Sequence, residues 1–361
     1  MSDPLTQLTY QAFQYSKSVL SLAHKTLSNQ VLEMVAPPTP ERKPQPLKPE
    51  VINQIRASLE QIYQTDWQEA QTGLYPTSIL FDTPIEDILR YYPLLWWDML
   101  QMQERANQKR YQEFSPEIDT VGYPRYYLQN FHHQTDGYLS DWSANLYDLG
   151  VDILFNGGAD AMRRRVLGPL KAGLQAFEGV SARGLRVLDV ACGTGRTLKF
   201  IRATFPKASL YGVDLSAAYL RKANQLLSPI PGELPQLIQA NGEALPYQDN
   251  YFHGITSVFL FHELPPVARQ KVIEEAYRVL QPGGVFVICD SIQAIDSPEF
   301  KEMMENFSVM FHEPYYRHYI TDDLSDRLSQ VGFEGISTEQ HFVSKYWIAH
   351  KKHTLAGDTV K

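Results

Sequence analysis

The chain has 361 residues, a formal net charge of −8, 43% hydrophobic residues and two cysteines. This composition gives a globular core without disulfides in one extended domain or two, argues against a general nucleic-acid binder, and points to a reducing compartment without a zinc site. No apolar run approaches the ~18–20 residues needed to span a bilayer, and the N-terminus lacks a signal peptide's basic-then-apolar layout, so a soluble, cytoplasmic protein is expected.

The first element is a helix over residues 5–35, with Leu20, Ala23, Leu27, Val31 and Met34 at three- and four-residue spacing. Its apolar stripe leaves open a peripheral membrane contact, ordinary packing or a homo-oligomer contact, and the scarcity of lysine on its polar face favours the last two. Residues 36–49 hold six prolines spaced among polar residues and read as an extended linker. Helices follow over about 50–65 and 85–112, the second rich in Tyr and Trp. Residues 123–138 crowd aromatics, His132, His133, Gln134 and Asp136 between a proline and a glycine, which reads as a loop. Ser140 or Asp141 then caps a helix over 142–155, Asn156-Gly157-Gly158 ends it, and Asp160 caps another reaching about 177. Arg163-Arg164-Arg165 is the only tight basic run, and a solvated helix face is its default reading.

Arg186 to Asp189 is a short aliphatic run suited to a buried parallel strand. Gly193 and Gly195 follow, allowing a sharp turn and close approach of backbone to a ligand, before Leu198, Phe200 and Ile201 open a helix. Such a strand–turn–helix at the edge of a parallel sheet binds nucleotides in open α/β folds. Leu198 occupies the place of the third glycine of a dinucleotide fingerprint, and no Lys-Ser/Thr pair follows, so nicotinamide and P-loop sites are both disfavoured. A second strand ends in Asp214, about 20 residues on, the usual offset for a ribose-binding carboxylate. The segments Gln239 to Tyr247, Ile255 to Leu264, and Arg278 to Gly284 followed by the strand 285–289, come next.

In this order and spacing, the segments resemble the motifs of class I S-adenosylmethionine-dependent methyltransferases, nearest to the small-molecule enzymes of ubiquinone and menaquinone biosynthesis. The resemblance covers residues 183–349. It implies a Rossmann-like, seven-stranded doubly wound sheet with the last strand antiparallel, here carrying an α-helical N-terminal extension. The boundaries expected are 1–140 for the helical region, 141–350 for the cofactor-binding domain and 351–361 for a loose tail. The cofactor implied is S-adenosyl-L-methionine, held by Asp189, Ala191, Cys192, Gly193, Gly195, Asp214, Leu215, Asn241, Gly242, Glu243 and Phe259. Ala191 stands where the family often has glycine, Asn241 where aspartate is usual, and His253 where an aspartate follows Phe. The last change is read as structural.

Methyl transfer from a sulfonium needs alignment, exclusion of water and, for a hydroxyl or activated carbon, a base. His262, just past the fourth strand, is the leading candidate, with Glu263 beside it to orient a base or substrate. The resemblance also implies that segments before the first motif cover the acceptor, which nominates Tyr127, His132, His133 and Tyr138 as substrate contacts. His312 and His318 default to solvent. No Asp/Asn cluster or His-x-x-x-His helix is present, so no metal is expected. Aromatic density favours a hydrophobic or planar small-molecule acceptor. A catalytically silent, cofactor-binding scaffold subunit is the alternative; an aminopropyl transferase is disfavoured because Phe-His-Glu-Leu replaces an acidic pair after the fourth strand.

Overall fold

The computed structural model describes residues 4–353. Its centre is a seven-stranded sheet of β1 (Arg186–Val190), β2 (Ser209–Asp214), β3 (Gln236–Gln239), β4 (Phe252–Val258), β5 (Leu280–Ser291), β6 (Phe333–His341) and β7 (Ser344–Lys351), in the order β3-β2-β1-β4-β5-β7-β6. β7 runs antiparallel to both its neighbours, and the pairings from β3 through β5 are all parallel. Strand order reverses between β1 and β4, which opens a crevice beyond their C-terminal ends, the usual ligand position in such sheets.

Aliphatic side chains alternate across the strands and bury both faces, as a parallel sheet requires. Leu188, Val190 and Ile255 pack under α9 (Pro266–Val279) and α12 (Leu324–Val331) on one face. Val187, Val285 and Val287 meet α6 (Leu167–Leu174), α7 (Arg196–Thr204) and α8 (Ala217–Leu227) on the other. The N-terminal helices α1 (Pro4–Val35), α2 (Pro49–Gln71) and α3 (Ile85–Asn107) lie outside this layer, and Tyr10, Trp67 and Tyr75 join the same core.

Buried charge ties the two layers together. Asp66 of α2 accepts two bonds from the Arg164 guanidinium (2.8 and 2.6 Å) and one each from the Tyr10 and Tyr75 hydroxyls. The basic run 163–165 is therefore interior, a correction to the solvated reading: Arg163 pairs with Asp160, and Arg165 with Glu69 and Glu339. The reason is tertiary, since each guanidinium meets a carboxylate from an element distant in sequence or across one turn. The same segment is broken into α5 (Ala159–Arg164) and α6, with Gly158 rather than Asp160 at the first N-terminus. Ser140 does cap α4 (Asp141–Leu154), accepting the Ser143 N–H.

The predicted stripe of α1 faces outward. Leu20, Leu27 and Met34 are 70, 53 and 77% exposed, whereas Gln14, Ser21, His24 and Ser28 are buried. Polar anchoring decides the orientation: Lys25 donates to Leu154 O and Asn156 Oδ1, and Ser18 to Asn156 O. Residues 36–49 run extended apart from one short turn, and Arg42 and Gln45 fasten them to α3 and α10 (Lys301–Met310). Lys351, assigned to the tail by the sequence, closes β7, its ammonium donating to Tyr277 O and Leu280 O. Residues 354–361 of that tail lie outside the described residues.

Candidate active site

The site is built on the turn after β1. Ala191, Gly193 and Gly195 all adopt left-handed backbone, with φ of 57, 53 and 83°. Alanine tolerates this at a cost of roughly 1–2 kcal/mol relative to glycine's freedom. A Cβ on Gly193 would meet nothing nearer than Tyr219 at 3.9 Å, so this backbone is bare toward the crevice. Gly195 has a different task, since a Cβ there would stand 3.1 Å from Ala223 of α8. Cys192 turns inward, where a Cβ on Gly212 would lie 2.8 Å from its sulfur, and burial pushes its thiol well up.

Asp214 ends β2 and braces this turn. One carboxylate oxygen accepts the Gly193 N–H (2.9 Å) and the other the Ser216 N–H (2.8 Å), which leaves lone pairs on each for ligand hydroxyls. Burial raises its pKa to about 6 against the lowering effect of those two N–H groups. Asp189 is pushed up to about 7 by burial and accepts the Thr256 hydroxyl at 2.6 Å; it sits beneath the turn, away from the cavity.

One cavity collects Ala191, Gly193, Asp214, Leu215, Asn241, Gly242 and Phe259 from the cofactor residues named by the sequence. Tyr127, Tyr138 and Glu263 line its adjoining wall. Asp189, Cys192, Gly195 and Glu243 stand behind the surface. The Asn241 amide is engaged with Glu243, whose carboxylate accepts the Tyr126 hydroxyl at 2.6 Å. Sequence reasoning missed Tyr147 and Tyr219, which complete the aromatic wall from α4 and α8. Only the fold brings these helical residues to the crevice. His253 accepts the Arg186 N–H (3.0 Å) and, with its pKa lowered to about 4 by burial, serves as a neutral acceptor between β1 and β4.

Behind Glu263 lies a buried polar cluster. His262 Nδ1 is 2.7 Å from Asp290 at the end of β5, and its Nε2 is 3.9 Å from Glu263. Burial alone would lower the His262 pKa; the Asp290 carboxylate overrides it and raises the pKa to about 9. His262 lies one layer back from the cavity wall, held there by Asp290. The loop before α4 brings in His132, whose Nε2 is 3.1 Å from Glu313 and 3.7 Å from Glu263. The Tyr138 hydroxyl donates to Glu263. His133 points elsewhere, toward Tyr111 and His312, and burial lowers its pKa to about 3. Glu313 and Asp290 were not singled out from sequence. Asp290 offered a signal, an acid closing an apolar strand as Asp189 and Asp214 do; Glu313 offered none.

A family profile described as "Methyltransferase domain" matches residues 187–284. The chain is 26% identical over 189 residues to a demethylmenaquinone methyltransferase of Anoxybacillus flavithermus, covering 47% of this chain and 79% of that protein. It is 33% identical over 152 residues to the ubiquinone/menaquinone biosynthesis C-methyltransferase UbiE of Hahella chejuensis, covering 42 and 57%, and 34% identical over 119 residues to that of Photorhabdus laumondii, covering 32 and 46%. The chain thus spans about half the length of these UbiE relatives. Among solved structures, human N-acetylserotonin methyltransferase in complex with S-adenosylmethionine aligns with a TM-score of 0.46 at 14% identity, over 74% of this chain and 70% of that one. The motif order, the bare glycine turn braced by Asp214 and the profile match make residues 187–284 a methyltransferase domain, similar to those of the class I S-adenosylmethionine-dependent enzymes.

Proposed function

We propose that the chain methylates a hydrophobic or aromatic small molecule, a quinone- or phenol-like ring being the best fit. The observation that carries this reading is the single cavity joining the Gly193–Asp214 floor to a wall of Tyr127, Phe131, Tyr138, Tyr147 and Tyr219. S-adenosylmethionine supplies an activated methyl on a sulfonium when bound. The chain's residues then bind and align. Asp214 accepts from ribose hydroxyls, Leu215 and Gly242 flank the base, and Asn241 keeps acceptor capacity toward an amino group. The aromatic wall excludes water and presents flat faces to a planar acceptor, so that positioning for in-line attack carries much of the rate.

Glu263 is the polar side chain that meets the acceptor in this reading, with His262 and Asp290 setting its position from behind. The name C-methyltransferase carried by the similar UbiE enzymes supports transfer to carbon. The outward apolar face of α1 supports contact with a second copy of the chain or with a membrane surface carrying a lipophilic substrate; among the described residues, no helix is long and apolar enough to cross a membrane. The test is formation of S-adenosylhomocysteine on adding hydroxyquinones and phenols to purified protein. Turnover that disappears in Asp214→Ala supports the reading. Tight cofactor binding without turnover on any such acceptor moves the weight to a silent subunit.

A further inference from the structure

We propose that His132, His262, Glu263 and Glu313 form a binding site for one divalent first-row transition-metal ion at the back of the acceptor cavity. The metal-free expectation rested on sequence spacing, and these residues lie at 132, 262–263 and 313, where no spacing pattern could join them. In the fold, one ligand atom from each lies within 4.8 Å of the other three. Three of the separations are 3.1, 3.7 and 3.9 Å. A tetrahedral ion with bonds of about 2.0–2.2 Å holds its ligand atoms about 3.4 Å apart, so small side-chain rotations close the set.

Independent evidence comes from Glu313. Its side chain is 0% exposed, yet neither carboxylate oxygen has a hydrogen-bond partner. His132 lies at ion-pair distance without the alignment of a hydrogen bond. A buried, unpartnered carboxylate is costly unless something charged meets it. Support behind the cluster also has the form metal sites use. Asp290, fully buried, fixes the His262 ring through Nδ1 and takes the Phe261 N–H on its other oxygen, aiming Nε2 at the cluster. His132 meets the adjacent rings of Phe307 and Phe311 edge-on, an apolar setting that strengthens coordination over hydration.

Two imidazoles with two carboxylates suit zinc, iron, cobalt or manganese better than magnesium or calcium. Because Glu263 belongs to both the cluster and the cavity wall, an ion held there meets an oxygen of the acceptor and polarises it. This role rests on the methyltransferase reading; the binding itself does not.

Chelator-treated protein should be titrated calorimetrically with Zn(II) alone and, separately, with Co(II) while recording visible absorption. The expected result is about one equivalent per chain with visible bands of nitrogen- and oxygen-bound cobalt, roughly 100-fold weaker binding in His132→Ala and Glu313→Gln, and roughly tenfold weaker in Asp290→Asn. Retained S-adenosylhomocysteine binding certifies that each variant is folded. Less than about a tenth of an equivalent on wild type overturns the site, as does equal affinity in wild type and folded variants. Failure of a variant to fold leaves the wild-type stoichiometry and cobalt spectrum to decide. Metal binding with no methyl transfer would sink the functional reading and leave the metal site standing.

Discussion

The two halves of the cavity are assembled in opposite ways. The cofactor floor comes from one continuous stretch, residues 187–284, in which strand, glycine turn and strand-end acid follow each other along the chain. The aromatic wall draws on the loop before α4 and on α4, outside that stretch, as well as on α8 and the turn after β4 within it; the polar cluster behind it adds Glu313, beyond α10. A floor of local backbone changes little when its surroundings vary. A wall of side chains from distant segments can be rebuilt one segment at a time, and it depends on whatever holds those segments in place.

The largest expected effect tests that dependence. Asp66→Ala leaves the Arg164 guanidinium buried and unpaired, and should cost about 3–5 kcal/mol in urea unfolding. A cost below about 1 kcal/mol would show that the helical layer is not anchored there. Next, Asp214→Ala should weaken S-adenosylhomocysteine roughly 100-fold by calorimetry, while Glu313→Gln stays within about threefold of wild type. If both collapse, floor and wall are not separable. The third effect is pH. Asp214 accepts from a ligand as a carboxylate, and its pKa is raised to about 6, so affinity should hold above pH 7 and fall about tenfold by pH 5. The fall should vanish in Asp214→Asn; its persistence would assign the titration to another group. The smallest effect is Ala191→Gly, which relieves left-handed strain but frees the unfolded chain, so stability should move by less than about 1 kcal/mol and cofactor affinity should persist.

The same contrast explains what could be read in advance. The sheet, its antiparallel last strand and the placing of Gly193 and Asp214 at the crevice were legible because each depends on a few adjacent residues. Tyr147 and Tyr219 were not, since a tyrosine on a helix carries no mark of the face it will occupy. Which way the α1 stripe faces was hidden for a related reason. Periodicity identified a helix, but the hydrogen bonds from Ser18 and Lys25 to residues 154–156, invisible in sequence, chose which side faces inward. His262, the base candidate from sequence, is held one layer back by Asp290, which leaves Glu263 on the wall.

Ser216 joins the two halves. Its backbone N–H binds Asp214, and its hydroxyl donates to the Tyr138 carbonyl, so the nucleotide-side helix and the covering loop share one capping residue. The loop cannot swing aside without breaking a buried bond, which costs about 1–3 kcal/mol if the serine finds no substitute. The tyrosines Tyr127 and Tyr138 over the crevice are thus tethered to the floor they cover, and a change at one serine would be felt on both sides of whatever lies between them.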